Sequence, residues 1–302
     1  MNMEIDKQNG EVAYNDLAHA YWNVNDNAKY VSVTTLIHRF TQPFDKEFWS
    51  AYKAMEKLLD SESWKQVKKE LLATKKFSLE ILPLYDISEY DFNKTQQDIL
   101  DAWQQENFKS CERGTKIHAE IEQSMYNMGS NCSLKKFGVG GKFVCEKGRT
   151  NLDLENGVYP EYLISRTSKD GLLRIAGQID LLVKNGNEIT IMDWKTNKKI
   201  DLKSGFNTQT KTTAKMKYPL NNLDDCNFMH YTMQLSTYAW MIQQLNPDFV
   251  IKDLILVHFD HNDNQTVYHL DYLKDEVERM LRFHKKSVIK EQQRAKRIPI
   301  EY

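Results

Sequence analysis

The sequence predicts a mixed α/β fold in which a helical region is followed by a central β-sheet and flanking helices. Between residues 44 and 128, apolar side chains recur at three- and four-residue steps, which is the period of a helix. From residue 157 to residue 200 the period changes to two, and turn residues separate the apolar runs. With 302 residues, 41% of them apolar, the chain has ample material for a buried core and is not generally disordered.

The N-terminal half contains short strands followed by helices. Ala20–Val24 and Tyr30–Val33 are strand-like and flank a turn rich in Asn and Asp. The Ser and Thr residues before Leu36 predict the N-cap of a helix. Helical periodicity continues to about residue 128, and we expect the last helical stretch, residues 93–127, to be interrupted at Gly114.

Three antiparallel strands are predicted in the middle of the chain. Two dipeptides, Asp170-Gly171 and Asn185-Gly186, separate three apolar runs, and such dipeptides are the strongest short-range hairpin signals. We therefore expect a meander whose strands are Val158–Ile164, Leu172–Val183 and Glu188–Lys195.

The C-terminal third alternates between loop, helix and strand. Residues 201–227 are polar and lack periodicity, which predicts a long loop. A helix is expected over residues 227–245, followed by strands near 251–259 and 266–270. A basic helix is expected from about residue 272 onward.

The charge balance excludes a uniformly basic protein. Lys and Arg number 41 against 42 Asp and Glu, so the net charge is −1. Two segments depart from this neutrality: residues 195–217 hold seven lysines against Asp201, and residues 279–302 hold eight basic residues against two glutamates. Such segments suit a phosphate backbone, and binding through them would weaken strongly with salt.

Secretion and membrane insertion are not expected. No run approaches the ~18 consecutive apolar residues of a membrane span, and Met1–Asp6 lacks a signal-peptide pattern. We therefore expect a cytoplasmic protein, in a bacterial or phage-infected cell, with no membrane partner.

The predicted hairpins bring three carboxylates together. Two-residue turns at Asp170-Gly171 and Asn185-Gly186 place Glu161 opposite Asp180, on the sheet face that also carries Asp193 and Lys195. Like charges opposite each other destabilise a sheet, and one lysine does not balance three carboxylates. A divalent cation, Mg²⁺ or Mn²⁺, would supply the missing charge.

The alternative is that these are solvated charges on an exposed sheet face. Leu182, Ile189 and Ile191 share that face, which places the charges beside apolar surface and favours a site. A bulge at Gly177 or a three-residue turn would shift the register and scatter the cluster.

Four sequence motifs resemble the PD-(D/E)XK nuclease superfamily. The first two are Gly177–Asp180 and Ile191–Thr196, preceded by Glu161 on the neighbouring strand. Gly114–Glu122 looks like the upstream helix of the RecB-type exonuclease branch, and Gln234–Tyr238 looks like the QxxxY motif of that branch. The resemblance covers roughly residues 114–260 and implies a restriction-endonuclease-like core with a central mixed β-sheet flanked by helices. The notable residues of these motifs are His118, Glu122, Glu161, Asp180, Asp193, Trp194, Lys195, Gln234 and Tyr238.

The resemblance implies a role for each motif residue. His118, Asp180, Asp193 and the carbonyl of Trp194 would bind the metal, and a nitrogen ligand would make Mn²⁺ acceptable beside Mg²⁺. Lys195 would orient the attacking water or stabilise transition-state charge.

The remaining motif residues would have supporting roles. Glu161 would assist at the metal. Gln234 and Tyr238 would support the site or contact the DNA, and Lys198 and Lys199 would contact it. Glu122, one turn from His118, would either orient that histidine or be a surface charge.

Some features of the branch are missing from the sequence. The four cysteines include none after the QxxxY motif, where iron-sulfur members carry three, so we expect no iron-sulfur cluster. No GxxxxGK[ST] motif occurs, so an unwinding motor would be a separate helicase or recombination partner.

The leading hypothesis is a metal-dependent deoxyribonuclease that degrades DNA from linear ends or acts on single strands, in recombination, repair or phage DNA processing. The alternatives are a structure-specific or restriction-like endonuclease and a catalytically idle nucleic-acid-binding module of the same fold. Under all three hypotheses, residues 1–113 would hold the N-terminal strands and a helical cap. Residues 114–302 would form the nuclease core with its basic C-terminal helix.

Overall fold

The computed structural model describes residues 4–145, 154–207 and 211–295. The chain begins with strands β1 to β4 and helices α1 to α4 and continues with the longer strands. Their bounds are β1 Lys7–Asn9, β2 Val12–Asn15, β3 Ala20–Asn23, β4 Val31–Ser32, α1 Val33–His38, α2 Lys46–Leu58, α3 Ser61–Thr74 and α4 Glu89–Met128. The later elements are β5 Gly157–Thr167, β6 Arg174–Asn185, β7 Glu188–Lys195, β8 Phe206–Asn207, β9 Thr212–Thr213, α5 Asn227–Leu245, β10 Val250–Phe259, β11 Gln265–His269 and α6 Lys274–Ala295.

A six-stranded mixed sheet lies at the centre of the fold. Its order is β11-β10-β7-β6-β4, with β5 also paired to β6. The β10–β7 and β4–β6 pairs are parallel and the others antiparallel. The predicted α/β class with a central mixed sheet flanked by helices is therefore confirmed, as is the β5–β6–β7 meander.

Each face of this sheet is covered by helices. Leu182, Ile189 and Ile191 pack on one face with α1, α5 and α6 residues such as Met233 and Met280. The other face packs against the C-terminal part of α4, and its buried residues include Leu181, Met192, Trp194 and Met125. Trp194 therefore lies on the face opposite Asp180 and Asp193, as the strand period predicts.

The β5–β6 hairpin has the predicted register. Pro160 pairs with Leu181 and Tyr162 with Ile179, so Glu161 stands at the position opposite Asp180. Gly177 pairs with Ile164 without a register shift, and no bulge occurs there.

The β6–β7 register differs from the prediction by two residues. Asn185 pairs with Glu188, so the turn is Gly186-Asn187 rather than Asn185-Gly186. Gly186 has φ +60°, as the first central position of a type II′ turn requires, whereas a type I′ turn at Asn185-Gly186 would need positive φ at both residues. A shift of two keeps every side chain on its predicted face, and one further step of this register brings Asp180 opposite Asp193.

The helical region contains one helix that is longer than predicted. Helix α4 runs for 40 residues without a break at Gly114, because a single internal glycine costs only about 1 kcal/mol of helix stability. Residues 43–115, with 207–212, form one compact unit that has its own core around Phe48, Met55 and Phe92.

The boundary of the second unit differs from the expected division at residue 113. That unit comprises residues 1–42, 116–206 and 213–302, so the N-terminal strands belong with the central sheet. Strand β4 pairs with β6, and Asn9 at the end of β1 donates a 2.7 Å hydrogen bond to the Leu163 carbonyl of β5.

The segment after β7 is more ordered than the polar loop that its composition predicts. Met216, Leu220 and Leu223 are buried in the core beside α5. The short strands β8 and β9 pair with each other. Residues 208–210 of the basic 195–217 segment, and residues 296–302 of the basic C-terminal segment, lie outside the described part of the chain.

Candidate active site

Three neighbouring strands carry the carboxylates of the candidate site. Glu161 comes from β5, Asp180 from β6 and Asp193 from β7. The Trp194 backbone N–H donates a 2.8 Å hydrogen bond to Asp180 Oδ2 and so fixes that carboxylate against β7. Convergence of the three side chains follows from the paired register and the strand period.

His118 on α4 joins two of these carboxylates to the end of β7. Its Nδ1 atom lies 3.6 Å from Asp180 Oδ2 and 3.9 Å from Glu161 Oε1. Its Nε2 atom lies 3.1 Å from the carbonyl oxygen of Trp194. Buried packing of the Trp194 indole, with its ring 5.0 Å from that of Phe137, holds the strand that presents this carbonyl.

Asp193 is held by a lysine and an amide. Its Oδ2 lies 2.5 Å from Lys195 Nζ, and its Oδ1 accepts a 3.1 Å hydrogen bond from Gln234 Nε2 on α5. Lys195 is thus the cationic partner of a carboxylate whose residue is only 1% exposed. Buried charges of this kind are paired with a counter-charge or coordinate a metal.

Burial and neighbouring charges shift the pKa values of Asp180, Asp193, His118 and Lys195. Burial raises the pKa of Asp193 to about 6, against the opposing effect of Lys195, and burial also raises the pKa of Asp180. For His118, burial lowers the pKa, but Glu161, Asp180 and Asp193 outweigh it and raise the pKa to about 9. Asp193 and Asp180 likewise overcome the effect of burial and raise the pKa of Lys195. Several strongly shifted pKa values in one place are typical of functional sites.

The donor set fits a divalent metal ion. Ligand atoms of His118, Glu161 and Asp180 all lie within 4.8 Å of one another. A set of carboxylate oxygens with one imidazole nitrogen suits Mn²⁺. It suits Mg²⁺ less well, because Mg²⁺ prefers oxygen ligands. Among the described residues, Asp193 is not part of this compact group, because its carboxylate is turned toward Lys195 and Gln234.

Two further side chains contact Glu161 and are not among the predicted site residues. Gln178 on β6 donates a hydrogen bond to Glu161 Oε2, and Lys7 on β1 lies 3.5 Å from the same oxygen. Lys7 brings a second lysine to the carboxylates. Gln178 lies in the Gly177–Asp180 motif, two residues before Asp180 and hence on the same face, so strand period alone would have found it. Nothing in the sequence pattern links Lys7 to the site.

Glu161 has a strained backbone. Its φ is +51°, and it is missing from the otherwise continuous β5–β6 pairing. A left-handed conformation costs a residue with a Cβ about 1–2 kcal/mol. Strain of this kind is retained where it serves a site, and here it accompanies a glutamate that points at His118.

The strain predicts a stability difference between two variants that remove the same carboxylate. Glu161→Gly is expected to be more stable than Glu161→Ala by about 0.5–1 kcal/mol, after the greater unfolded-state entropy of glycine is subtracted. Urea unfolding midpoints measure the difference. A lower midpoint for Glu161→Gly than for Glu161→Ala would show that the φ of Glu161 carries no cost.

Gly177 leaves room for a buried tyrosine. A Cβ atom at this position would lie 2.6 Å from Cε1 and 2.9 Å from the hydroxyl of Tyr238 on α5. Tyr238 is buried, and its hydroxyl lies 3.4 Å from Gln234 Nε2, which in turn holds Asp193. The glycine of the Gly177–Asp180 motif is therefore needed for the close approach of the QxxxY helix.

Gly177→Ala is expected to destabilise the protein by about 1–3 kcal/mol, because the rigid tyrosine ring must move within a packed core. Displacement of Tyr238 would also loosen Gln234, so the activity of the site is expected to fall by more than the unfolded fraction accounts for. Chemical denaturation and activity measurements test both effects. The matched control is Gly140→Ala, where no atom lies within 4 Å of the added Cβ. Unchanged stability of the Gly177 variant would contradict the packing argument.

The structure favours one of the two alternatives for each of the supporting residues. Glu122 accepts a 3.0 Å hydrogen bond from the Tyr126 hydroxyl and is not the partner that orients His118, since both ring nitrogens of the histidine face other groups. Gln234 and Tyr238 are 7% and 3% exposed. They therefore support Asp193 from the buried side of the site and are not placed to contact DNA.

The basic residues after β7 lie outside the cluster. Lys198 and Lys199 are exposed, and Lys199 forms a 2.7 Å ion pair with Asp201. Tyr231 on α5 is an unpredicted neighbour, with its ring centre 4.9 Å from Lys195 Nζ and its hydroxyl bonded to Asn197 Oδ1 at 2.7 Å. It lies one turn before Gln234, so helical spacing from the QxxxY motif could have suggested it.

The central mixed sheet and the cluster of His118, the carboxylates and Lys195 form the arrangement that the motif resemblance implies. The sequence matches the profile of the PD-(D/E)XK nuclease superfamily over residues 33–301, and the chain belongs to that superfamily.

Two distant structural neighbours are among the solved structures that match. The crystal structure of SSO0001 is 19% identical, with 45% of this chain and 50% of that one covered and a TM-score of 0.28, so this chain spans about half of that protein. The crystal structure of a "Putative exonuclease" from Eubacterium rectale is 12% identical, with 86% and 79% covered and a TM-score of 0.30. No curated protein matches the sequence.

The described helices do not meet the requirements of a bilayer span. Within residues 4–145, 154–207 and 211–295, none combines the length and the apolar character that a transmembrane helix needs.

Proposed function

We propose that the protein is a metal-dependent DNA exonuclease of the RecB type, which hydrolyses phosphodiester bonds with Mg²⁺ or Mn²⁺. The observation that carries this proposal is the juxtaposition of the His118–Glu161–Asp180 donor group with the Asp193–Lys195 pair. The RecB-type assignment is supported by two contacts of its diagnostic motifs: His118 faces the carboxylates, and Gln234 holds Asp193.

The residues of the site would divide the chemistry among them. His118, Glu161 and Asp180, the compact donor group, would hold the metal, and Asp193 and the Trp194 carbonyl would complete its ligand set. A bound divalent ion supplies Lewis acidity toward the scissile phosphate and a water of lowered pKa. Lys195 would hold that water in line with the phosphorus or stabilise the negative charge that develops on the phosphate oxygens. Gln234 would keep the Asp193 carboxylate oriented for this work.

The DNA would reach the site along the exposed basic segment after β7. Lys198 and Lys199 follow directly from the strand that carries Asp193 and Lys195, so phosphates bound there lie next to the cluster. Contacts of this kind make affinity fall steeply with salt. We propose a role in recombination, repair or phage DNA processing, with strand separation supplied by a separate helicase or recombination protein.

Incubation with end-labelled linear DNA and with covalently closed circular DNA tests the proposal. In Mg²⁺ or Mn²⁺, the wild-type protein is expected to degrade linear DNA and to leave circles intact, whereas Asp193→Ala leaves both intact. Nicking of the circles would instead indicate an endonuclease. If neither DNA is cut and the variant binds DNA like the wild type, the protein is an idle binding module and the proposal is wrong.

A further inference from the structure

The two basic segments of the sequence meet at an aromatic pair. Tyr218 follows the last lysine of the 195–217 segment, and Phe283 lies on α6 within the C-terminal basic segment. Their ring centres are 5.6 Å apart at an interplanar angle of 76°. The sequence separates the two residues by more than sixty positions, so only the fold joins them.

The pair is exposed but held in place. Tyr218 is 70% exposed and Phe283 is 36% exposed. Buried Phe40 supports Phe283 from below, with ring centres 5.8 Å apart, and the Phe40 carbonyl accepts a 2.6 Å hydrogen bond from the Lys217 backbone N–H. The Tyr218 ring is therefore presented to solvent on an anchored segment.

Positive charge surrounds these rings. Lys286 and Lys290 follow Phe283 by three and seven residues, which places them on its side of the helix, and Lys217 precedes Tyr218. In the described part of the chain, none of these three lysines forms an ion pair within 4 Å. Arg282, also next to Phe283, pairs with Glu278 at 3.2 Å. The patch of Lys217, Tyr218, Phe283, Lys286 and Lys290 thus combines exposed aromatic rings with a surplus of cations.

We propose that this patch binds single-stranded DNA, with bases stacked on the Tyr218–Phe283 pair and phosphates contacted by Lys217 and Lys286. Aromatic rings within a cationic surface are the usual platform for unpaired nucleotides. Paired bases are stacked inside a duplex and do not present their faces, so the patch selects single strands. The inference rests on the proposed function and extends it, because it assigns a substrate-holding surface that is separate from the metal cluster.

Binding in EDTA tests the patch without cleavage. For a fluorescein-labelled oligothymidylate, Tyr218→Ala is expected to raise the Kd about tenfold, and Tyr218→Phe to leave it near the wild-type value. Lys286→Gln is expected to reduce the slope of log Kd against log salt by about 0.7, the contribution of one phosphate contact on a single strand. Affinity for a blunt duplex of the same length should not change in Tyr218→Ala.

The control is Tyr90→Ala, which removes an equally exposed tyrosine from between Glu89 and Asp91 and is expected to bind like the wild type. Wild-type affinity of Tyr218→Ala for the single strand, or an equal loss in both tyrosine variants, overturns the proposed patch. If Tyr218→Ala weakens binding but the wild-type protein cuts no DNA, the proposed activity fails and the patch stands. If the wild type cuts DNA and Tyr218→Ala binds the single strand normally, the activity stands and the patch fails.

Discussion

Asp180→Asn is expected to abolish cleavage and, in metal-free buffer, to stabilise the protein. The Asp180 carboxylate is largely buried near Glu161 and Asp193, and a neutral amide removes one of three crowded negative charges. Burial raises the pKa of Asp180, so its ionised form opposes folding at neutral pH. We therefore expect the unfolding free energy of Asp180→Asn to exceed that of the wild type in metal-free buffer. Loss of a metal ligand should cost about a thousandfold or more in kcat.

The effect of Mn²⁺ on the melting temperature separates the loss of a metal ligand from the gain in stability. Wild-type protein should melt at a higher temperature in Mn²⁺, because a ligand that binds only the folded state stabilises it, by about 2.7 kcal/mol at a hundred times Kd. Asp180→Asn should lose that increase. Glu188→Gln, which changes an exposed carboxylate on β7, should keep the metal response and melt within about 0.5 kcal/mol of wild type. A full metal response in Asp180→Asn would remove Asp180 from the ligand set.

Lys195→Ala is expected to reduce kcat by a factor of about 10²–10³ while metal binding persists. The lysine ammonium lies 2.5 Å from Asp193 and 4.9 Å from the centre of the Tyr231 ring, which places it beside the donor group without making it a ligand. Removal of one preorganised electrostatic donor from an active site has typically this effect. Single-turnover cleavage at saturating Mn²⁺ measures the chemical step directly.

The matched control is Lys252→Ala, which also removes one lysine from a 2.5 Å ion pair with a β7 carboxylate, Glu188, but at the exposed opposite end of the strand. Its kcat should equal that of the wild type. The Mn²⁺-dependent rise in melting temperature should survive in both lysine variants. If Lys195→Ala cleaves at the wild-type rate, the proposed role of Lys195 is wrong; if it loses the metal response, the lysine acts through Asp193 rather than on the substrate.

The sequence predicts which residues share a face better than which residues touch. Strand period places Asp180, Asp193 and Lys195 on one side of the sheet, and this result survives the two-residue error in the β6–β7 register. Helix α5 has the predicted bounds, Asn227–Leu245, because the segment is rich in apolar residues and Asn246-Pro247 ends it.

Contacts between segments that are distant in the sequence cannot be predicted from local patterns. The approach of Lys7 to Glu161 and the pairing of Tyr218 with Phe283 join residues that no local pattern links. The positive φ of Glu161 is a tertiary effect too, since glutamate has no intrinsic preference for the left-handed region. In each case the position is determined by packing between elements rather than by propensity within one.

The Gly186-Asn187 turn acts as a spacer for chemistry at the far end of its hairpin. Exposed hairpin tips normally tolerate insertions. Here a register shift of one residue between β6 and β7 would turn Asp180 away from the carboxylate face, and a shift of two would separate it from Asp193 along the strand. A change in turn length is neutral in most hairpins. In this protein, a change that altered the register would disrupt the proposed metal site.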